Sequence, residues 1–521
     1  MSIKDLTSLL TDFHSLNVFQ QENLKGLLAI SRIFNSDAGI PNSDHSAIGP
    51  DSIVLESGHQ PNFLPYSGVW KKAFLLDSIR KELTVCGKDA VAVFGFSDHI
   101  LSTASYLSQN QILAYKKQGK ENIGFKIPEQ DRWRCFHYLS KPTEEQLHRE
   151  IEKIKRCYSD NFRYLDTMQD ALKHRMGDIL ELLSECYHLA TSFADFNAFF
   201  FSRMCTDVYG FQLHFFRYSD VFEHGLLINE SRKILSQPDV YSSQIEAAIA
   251  KTGSISPPLA ENAMPFWYHC DCGGKIHLSG TNPSDVGGTC PVCKKNHLIS
   301  LGPNLDSLGN YYSRMSPNAI ARNMIFSEGF GTTLFISGTG GGLKYGQVAD
   351  AVSIEMGFHR PLTIAWRSAD MYLGAVHNRA IQELIKIFRL KITDLLESRI
   401  NEKIRDCRGA LERKLNEMEV TSQDKKATQK LRGKYLNSLV QAETVRNVFS
   451  ETPSLLDILM TFDSTLISEK WRDTLLKVDI RPDGYWLSLQ GDILYPYKGI
   501  QGIMSKDIPN IYHAMKSIEV E

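Results

Sequence analysis

Apolar positions along the chain alternate between two periods, and the changes of period mark out its elements. Short runs of β-branched and aromatic residues predict strands: Ile53-Val54-Leu55, Ala90-Val91-Ala92-Val93-Phe94-Gly95-Phe96 and Thr333-Leu334-Phe335-Ile336-Ser337. Each run ends in a polar or glycine-rich loop. The first continues through Ser57-Gly58-His59-Gln60-Pro61-Asn62 and on to Gly68, the second through Ser97-Asp98-His99, and the third through Gly338-Thr339-Gly340-Gly341-Gly342-Leu343-Lys344-Tyr345-Gly346. A helix-compatible stretch follows the first loop at about 69–80 and another follows the third. A parallel sheet would gather all three loops on one edge. There glycines let backbone N–H groups approach a ligand, and a helix N-terminus favours anions.

Elsewhere the apolar spacing is three and four. Leu6, Leu9, Leu10 and Phe13 predict one helix in a leading arm, followed by a polar stretch with Pro41, Ser43 and Gly49. Residues 144–156 and 167–189 read as inserted helices, and 237–252 as a shorter one before a proline-containing linker at 254–258. The phenylalanines of 193–218 read as core. Ile381, Leu384, Phe388, Ile392, Leu395, Ile400, Ile404, Leu411 and Leu415 continue the spacing without a proline up to Val448. With a turn near 420–425, they predict an antiparallel coiled-coil hairpin, the expected contact of a homodimer. Residues 485–489 and 491–497 predict a β-hairpin, and Met504-Ser505-Lys506 a loop. The resulting division is 1–140 (arm and first half of the core), 141–260 (helical insertion), 261–302 (metal ribbon), 303–375 (second half of the core), 376–450 (coiled-coil arm) and 451–521 (mixed segment).

The 521 residues exceed one ordinary core. Lys and Arg number 58 against 60 Asp and Glu, for a net charge of -2, which gives no global attraction to nucleic acid or anionic membrane. No stretch approaches the ~20 apolar residues of a membrane span. The opening Met1-Ser2-Ile3-Lys4-Asp5 lacks the order of a signal peptide, so a cytoplasmic location is expected. Of ten cysteines, six are scattered and read as buried thiols. The other four form two pairs, Cys270-Asp271-Cys272 and Cys290-Pro291-Val292-Cys293, seventeen residues apart. Two short-spaced pairs on glycine-bearing turns predict a zinc ribbon with structural Zn²⁺ on Cys270, Cys272, Cys290 and Cys293, since four protein ligands leave no open position.

The loops also resemble a family. Ser57-Gly58-His59-Gln60 with the Lys71-bearing helix, Phe96-Ser97-Asp98-His99, Ser316-Pro317-Asn318 with Arg322, and Ser337-Gly338-Thr339-Gly340 with Lys344-Tyr345 are similar, in order and approximate spacing, to the motif series of the cysteine-adding enzymes of bacillithiol biosynthesis. His59 stands where that family has Gln, Thr339 where it has Pro, and a glycine where it has Glu. The first loop also resembles the His-Gln-Pro-Asn-aromatic-Leu-Pro start of a family from polysaccharide gene clusters, over about twenty residues. The resemblance implies an α/β fold with a doubly wound, parallel, Rossmann-like nucleotide-binding core. It implies a ligase or transferase that joins an amino acid, cysteine in the family, to the amine of a small polar acceptor, with ATP or ADP at the glycine-rich edge. The expected proton-handling residues are His59, Asp98 and His99. Those expected to bind substrate or nucleotide are Gly58, Gln60, Asn62, Lys71, Asn318, Arg322, Gly338, Gly340, Gly341, Lys344 and Tyr345. Two alternatives stand beside this reading: a non-catalytic adaptor on a degenerate core, and a nucleotidyl-transfer enzyme with another acceptor.

Overall fold

The computed structural model describes residues 2–11, 15–42, 48–252, 262–282, 284–397, 399–421 and 424–520. In chain order its strands are β1 (Ile53–His59), β2 (Ala90–Phe96), β3 (Gln109–Leu113), β4 (Lys120–Gly124), β5 (His214–Arg217), β6 (Ala263–His269) and β7 (Lys275–Asn282). They continue with β8 (Asp285–Thr289), β9 (Asn296–Ser300), β10 (Met315–Pro317), β11 (Leu334–Ser337), β12 (Leu362–Arg367), β13 (Ile480–Asp483) and β14 (Trp486–Gln490).

The main sheet has the order β13-β14-β12-β11-β1-β2-β5, parallel except for β13 at its edge. β1 lies between β2 and β11, in register Ser57 with Phe94 and Ser57 with Ile336. Its side chains alternate between two cores. Ile53, Leu55, Phe94, Phe96, Leu334 and Ile336 join one, and Val54, Val91, Val93 and Phe216 the other. This near-continuous apolar content is what a strand covered on both faces requires.

From β1 the chain passes to the helix Ser67–Val85, whose Trp70, Ala73 and Phe74 lie in the first core. From β11 it passes to the helix Gly341–Met356, whose Val348, Ala349 and Val352 lie in the second. Adjacent parallel strands thus send their chains to opposite faces. A crevice opens between such strands at their C-terminal ends.

Several sequence expectations change. A helix the pattern reading omitted, Val18–Ala38, follows the first; it has a capping box between Asn17 and Gln20 and a left-handed Gly39 at its end. In the first helix, Ile3–Thr11, Leu6 and Leu10 are buried but Leu9 is 39% exposed; Phe13 lies outside the described residues. β5 comes from the stretch expected to be a purely helical insertion, and β14 from the C-terminal segment. β14 pairs backwards with β13 rather than forwards with 491–497. The coiled-coil arm expected as one continuous pattern from Ile381 is broken: Ala375–Phe388 ends at a left-handed Arg389, Ile392–Leu396 follows, and Ile381, Leu384 and Phe388 belong to the first core. The long helices Ile400–Thr421 and Lys425–Ser450 pack on each other, with Ile400, Ile404 and Leu415 buried. No helix among the described residues is long and apolar enough to cross a membrane.

Candidate functional site at the sheet edge

The loop after β1 is held rigidly from below. Asn197 Nδ2 donates to the carbonyls of Pro61 (2.8 Å) and Leu107 (2.7 Å), Trp70 Nε1 donates to that of Pro65 (3.1 Å), and Asn110 Nδ2 donates to that of Leu64. Leu64 has φ +45°, a conformation β-carbon-bearing residues avoid, and such strain persists only where surrounding bonds fix it. The side-chain Oδ1 of Asn62 is shielded and has no donor among the described residues. Opposite this loop stands the turn after β11. A Cβ placed on Gly338 or Gly340 would meet nothing within 4 Å, so the backbone leading into the helix Gly341–Met356 faces open space. Tyr345 of that helix's first turn lies near enough to Tyr106 to help raise its phenol, after burial.

Two cations converge above β1 and β2 from helices on opposite faces of the sheet. Lys72, from Ser67–Val85, donates to the Gly58 carbonyl at 2.5 Å; its side chain also lies over Phe94. Burial, and then the neighbouring Arg322, push its ammonium down to about 7. Arg322, from Ala319–Phe330, donates to Ser97 Oγ at 3.3 Å and sits 5.1 Å from the centre of the Tyr218 ring. His59, at the end of β1, bonds through Nδ1 to the Gln60 carbonyl (3.0 Å), and burial with the charge of Lys72 pushes it down to about 3. It is therefore neutral at physiological pH.

The other expected site residues separate into two groups. Gln60 is partly exposed beside His59, and Lys344 and Tyr345 are exposed on the first turn after Gly341. The rest have structural partners. Lys71 points away from Lys72 and pairs with Asp370 at 2.5 Å beyond β12, donating also to Ser368. Asn318 caps the helix Ala319–Phe330, its oxygen accepting from Ile320 and Ala321 N–H and from the Tyr241 hydroxyl. Gly58 is required by a side chain: a Cβ there would overlap the Tyr218 hydroxyl.

Asp98 and His99 do not line an open cleft, as the sequence reading expected; they are 1% and 3% exposed. Asp98 accepts from Ser219 N–H (3.0 Å) and from the Ser219 hydroxyl, which anchors its loop to the start of Tyr218–Glu223. His99 packs against Tyr218, Phe222 and His269, and its Nδ1 has no partner among the described residues. Burial, then Lys275, holds it well below its ordinary pKa. Both residues are thus fitted to hold the edge in shape. Lys72 escaped the sequence reading. The residue pair Lys71-Lys72 was visible, but neighbouring helical positions point about 100° apart and only the packing decides which reaches β1.

Below the glycine turn lies a cavity of about 40 Å³ lined by Glu56, Ser337, Gly342, Asp350, His359 and Thr363, among others. Glu56 is 4% exposed, accepts from the Thr332 hydroxyl at 2.6 Å, and is pushed up to about 7 by burial.

A second centre lies in the five-stranded sheet β10-β6-β7-β8-β9. The sulfurs of Cys270, Cys272, Cys290 and Cys293 all lie within 4.8 Å of one another, with Cys270–Cys293 and Cys272–Cys290 at 3.5 Å. Thiolates on Zn–S bonds of about 2.3 Å would define a tetrahedron with edges of about 3.8 Å, so the set fits such an ion. Backbone N–H groups turn toward the sulfurs: Cys272 to Cys270, Val292 and Cys293 to Cys290, and Lys295 to Cys293. A Cβ on Gly274 would overlap the Cys290 sulfur.

The cysteine-bearing turn docks on the sheet edge. Cys135 N–H donates to the Gly273 carbonyl (2.8 Å), Lys275 N–H to that of Trp133 (3.1 Å) and Lys275 Nζ to that of His99 (2.8 Å). β6 pairs with β10, which leads directly into the helix carrying Arg322. Comparison with protein-family models and with curated proteins returns no match to this chain.

Proposed function

We propose that this chain is a small-molecule ligase or transferase. On this reading it has a doubly wound, Rossmann-like core and joins an amino acid, cysteine in the resembled bacillithiol family, to the amine of a small polar acceptor. The observation that carries the reading is the pair of adjacent parallel strands β1 and β11. Their following helices pack on opposite faces, and their end loops are Gly58-His59-Gln60 and a turn with open space at Gly338 and Gly340. ATP or ADP is the expected nucleotide at that turn. Condensation replaces a carbon–oxygen bond of the amino acid's carboxyl group by a carbon–nitrogen bond. The oxygen leaves as water, or with phosphate where ATP has activated the carboxyl, and the attacking amine loses a proton. His59, neutral and at the edge, is suited to accept a hydrogen bond from that amine. The reading assigns Asp98 and His99 to positioning, and Zn²⁺ on the four cysteines to a structural role, without a step in the reaction.

Metabolite profiling of a deletion strain tests the reading. The acceptor amine should accumulate, and its amino-acid conjugate should disappear. The purified protein should then restore the conjugate from the accumulated amine, cysteine and ATP. In that assay Gly340→Val should abolish turnover with little change in melting, because the added methyls enter open space where the ligand approaches.

A second reading, a non-catalytic adaptor, is favoured by the burial of Asp98 and His99 and by the glycine standing in place of the family's glutamate. An unchanged metabolite profile, with a Gly340→Val protein that complements fully, would select the adaptor. A conjugate lacking cysteine but containing a nucleotidyl group would select nucleotidyl transfer.

A further inference from the structure

We infer that Lys72 and Arg322 form a recognition site for a phosphate dianion, placed over the ends of β1 and β2 beside the glycine turn. This rests on, and deepens, the reading of the β1–β11 crevice as a ligand site.

The first ground is charge. Lys72 is 8% exposed, yet neither it nor Arg322 has a carboxylate within 4 Å among the described residues. Buried cations are ordinarily paired, because leaving water costs an ion several kcal/mol. Here two come together from helices on opposite faces, close enough for Arg322 to weaken the hold of Lys72 on its proton. Packing alone gives no reason to bring two basic side chains together without a carboxylate, whereas a shared anion does.

The second ground is unused hydrogen-bonding capacity. An ammonium has three donors, and only the Gly58 carbonyl receives one from Lys72 among the described residues. Arg322 donates to Ser97 Oγ and Asn323 Oδ1, both neutral. The third ground is position. By the register of β1 and β11, Gly58 lies beside Ser337, one strand spacing (about 4.8 Å) from the start of the Gly338–Gly342 turn. N–H groups at a helix start add to a dianion site that two cations already define. Lys71, one residue earlier, is neutralised by Asp370 and plays no part.

The surrounding titratable groups fix the proton balance. Facing Lys72 are the permanently charged Arg322 and the neutral His59; Glu56, on the other face of β1, interacts with Arg322. At pH 8 an ammonium with a pKa near 7 is mostly deprotonated. A dianion beside the amine favours its charged form, so proton uptake on binding is the expected signature.

Isothermal titration of the full chain with inorganic phosphate at pH 8, in buffers of different ionisation enthalpy, tests this. Saturable binding with measurable proton uptake is expected. Lys72→Met and Arg322→Gln should each weaken binding by about tenfold or more, and Lys72→Met should remove the proton uptake. Adenosine 5′-diphosphate and a hexose 6-phosphate, titrated in parallel, distinguish a nucleotide from a phosphorylated sugar as the source of the phosphate. Tighter binding of either than of inorganic phosphate supports the site. Failure of all three to bind wild type, or binding without proton uptake and unchanged in Lys72→Met, overturns it. A protein that condenses amino acid with amine yet ignores phosphate would overturn this inference alone. One that binds phosphate through Lys72 but forms no conjugate would overturn only the ligase reading.

Discussion

Individual residues at the edge are governed by burial more than by exposed charge, and this gives them measurable signatures. Glu56 is a buried acid, with a pKa raised by burial from 4.5 to about 7. Between those values the folded chain binds more protons than the unfolded one, so this group's contribution to stability declines as pH rises through that window and stays low above it. The penalty above pH 7 is on the order of 3 kcal/mol. Glu56→Gln keeps an acceptor for Thr332 and removes the charge. It should therefore melt higher than wild type at pH 8 and close to it at pH 4.5, as scanning calorimetry at the two pH values can show. Equal melting at pH 8 would mean the carboxylate is solvated. Gly274 offers a different test, since its missing Cβ is required by the Cys290 sulfur. Gly274→Val should lower bound metal from about one ion per chain to a small fraction, read by elemental analysis. Retention of the full metal content would show that the turn can shift to accommodate the added atoms.

At the scale of elements, the helical hairpin shows how an apolar period can continue across breaks in the helix and leave its partner undecided. The three-and-four spacing from Ile381 to Leu415 predicts one seam, but the helix breaks at Arg389 and again before Ile400. Ile381, Leu384 and Phe388 pack into the first core, while Ile400, Ile404 and Leu415 are buried within the same chain. Changing Leu411 and Leu415 together to Lys places charge in that seam and should destabilise the hairpin by roughly 2 kcal/mol. Limited proteolysis should then cut within 400–450 while the main sheet survives. A variant that resists protease but changes from dimer to monomer in light scattering would place the seam between protomers instead. β1, β2 and β11 were legible because each apolar run stops at a polar or glycine-bearing loop. The four residues of β5 were hidden in an aromatic run after the helix Phe193–Arg203, where burial on both sides erases any period. The helix Val18–Ala38 carried its own signals, Asn17, Gln20 and Gly39, on either side of an apolar stripe including Leu24, Leu27 and Leu28. At the candidate site, loop positions followed from sequence. The roles of Lys72, Asp98 and Asn318 did not, because they depend on which partner the fold brings within reach.

Across the whole molecule, the cysteine sheet and the main sheet are mechanically joined. The cysteine turn bonds to 133–135, Lys275 bonds to the His99 carbonyl, and His137 bonds through Nδ1 to that of Asp98 at 3.2 Å. β6 also fixes β10, and with it the start of the helix that carries Arg322. Without an ion, the four thiols lose the bonds that hold the two turns together, and a centre of this kind contributes directly to folding. Stripping the metal with a chelator should therefore disturb more than the cysteine turns. Hydrogen exchange should rise in 270–293, in 133–138 and at Asp98-His99, while the hairpin at 400–450 keeps its protection. Phosphate binding should weaken in the same preparation, because both the Arg322 helix and the loop bearing Ser97 lose their support. Restoring zinc should return protection and binding together. Exchange that rises only within 270–293, with binding unchanged, would show the ribbon to be an independent appendage.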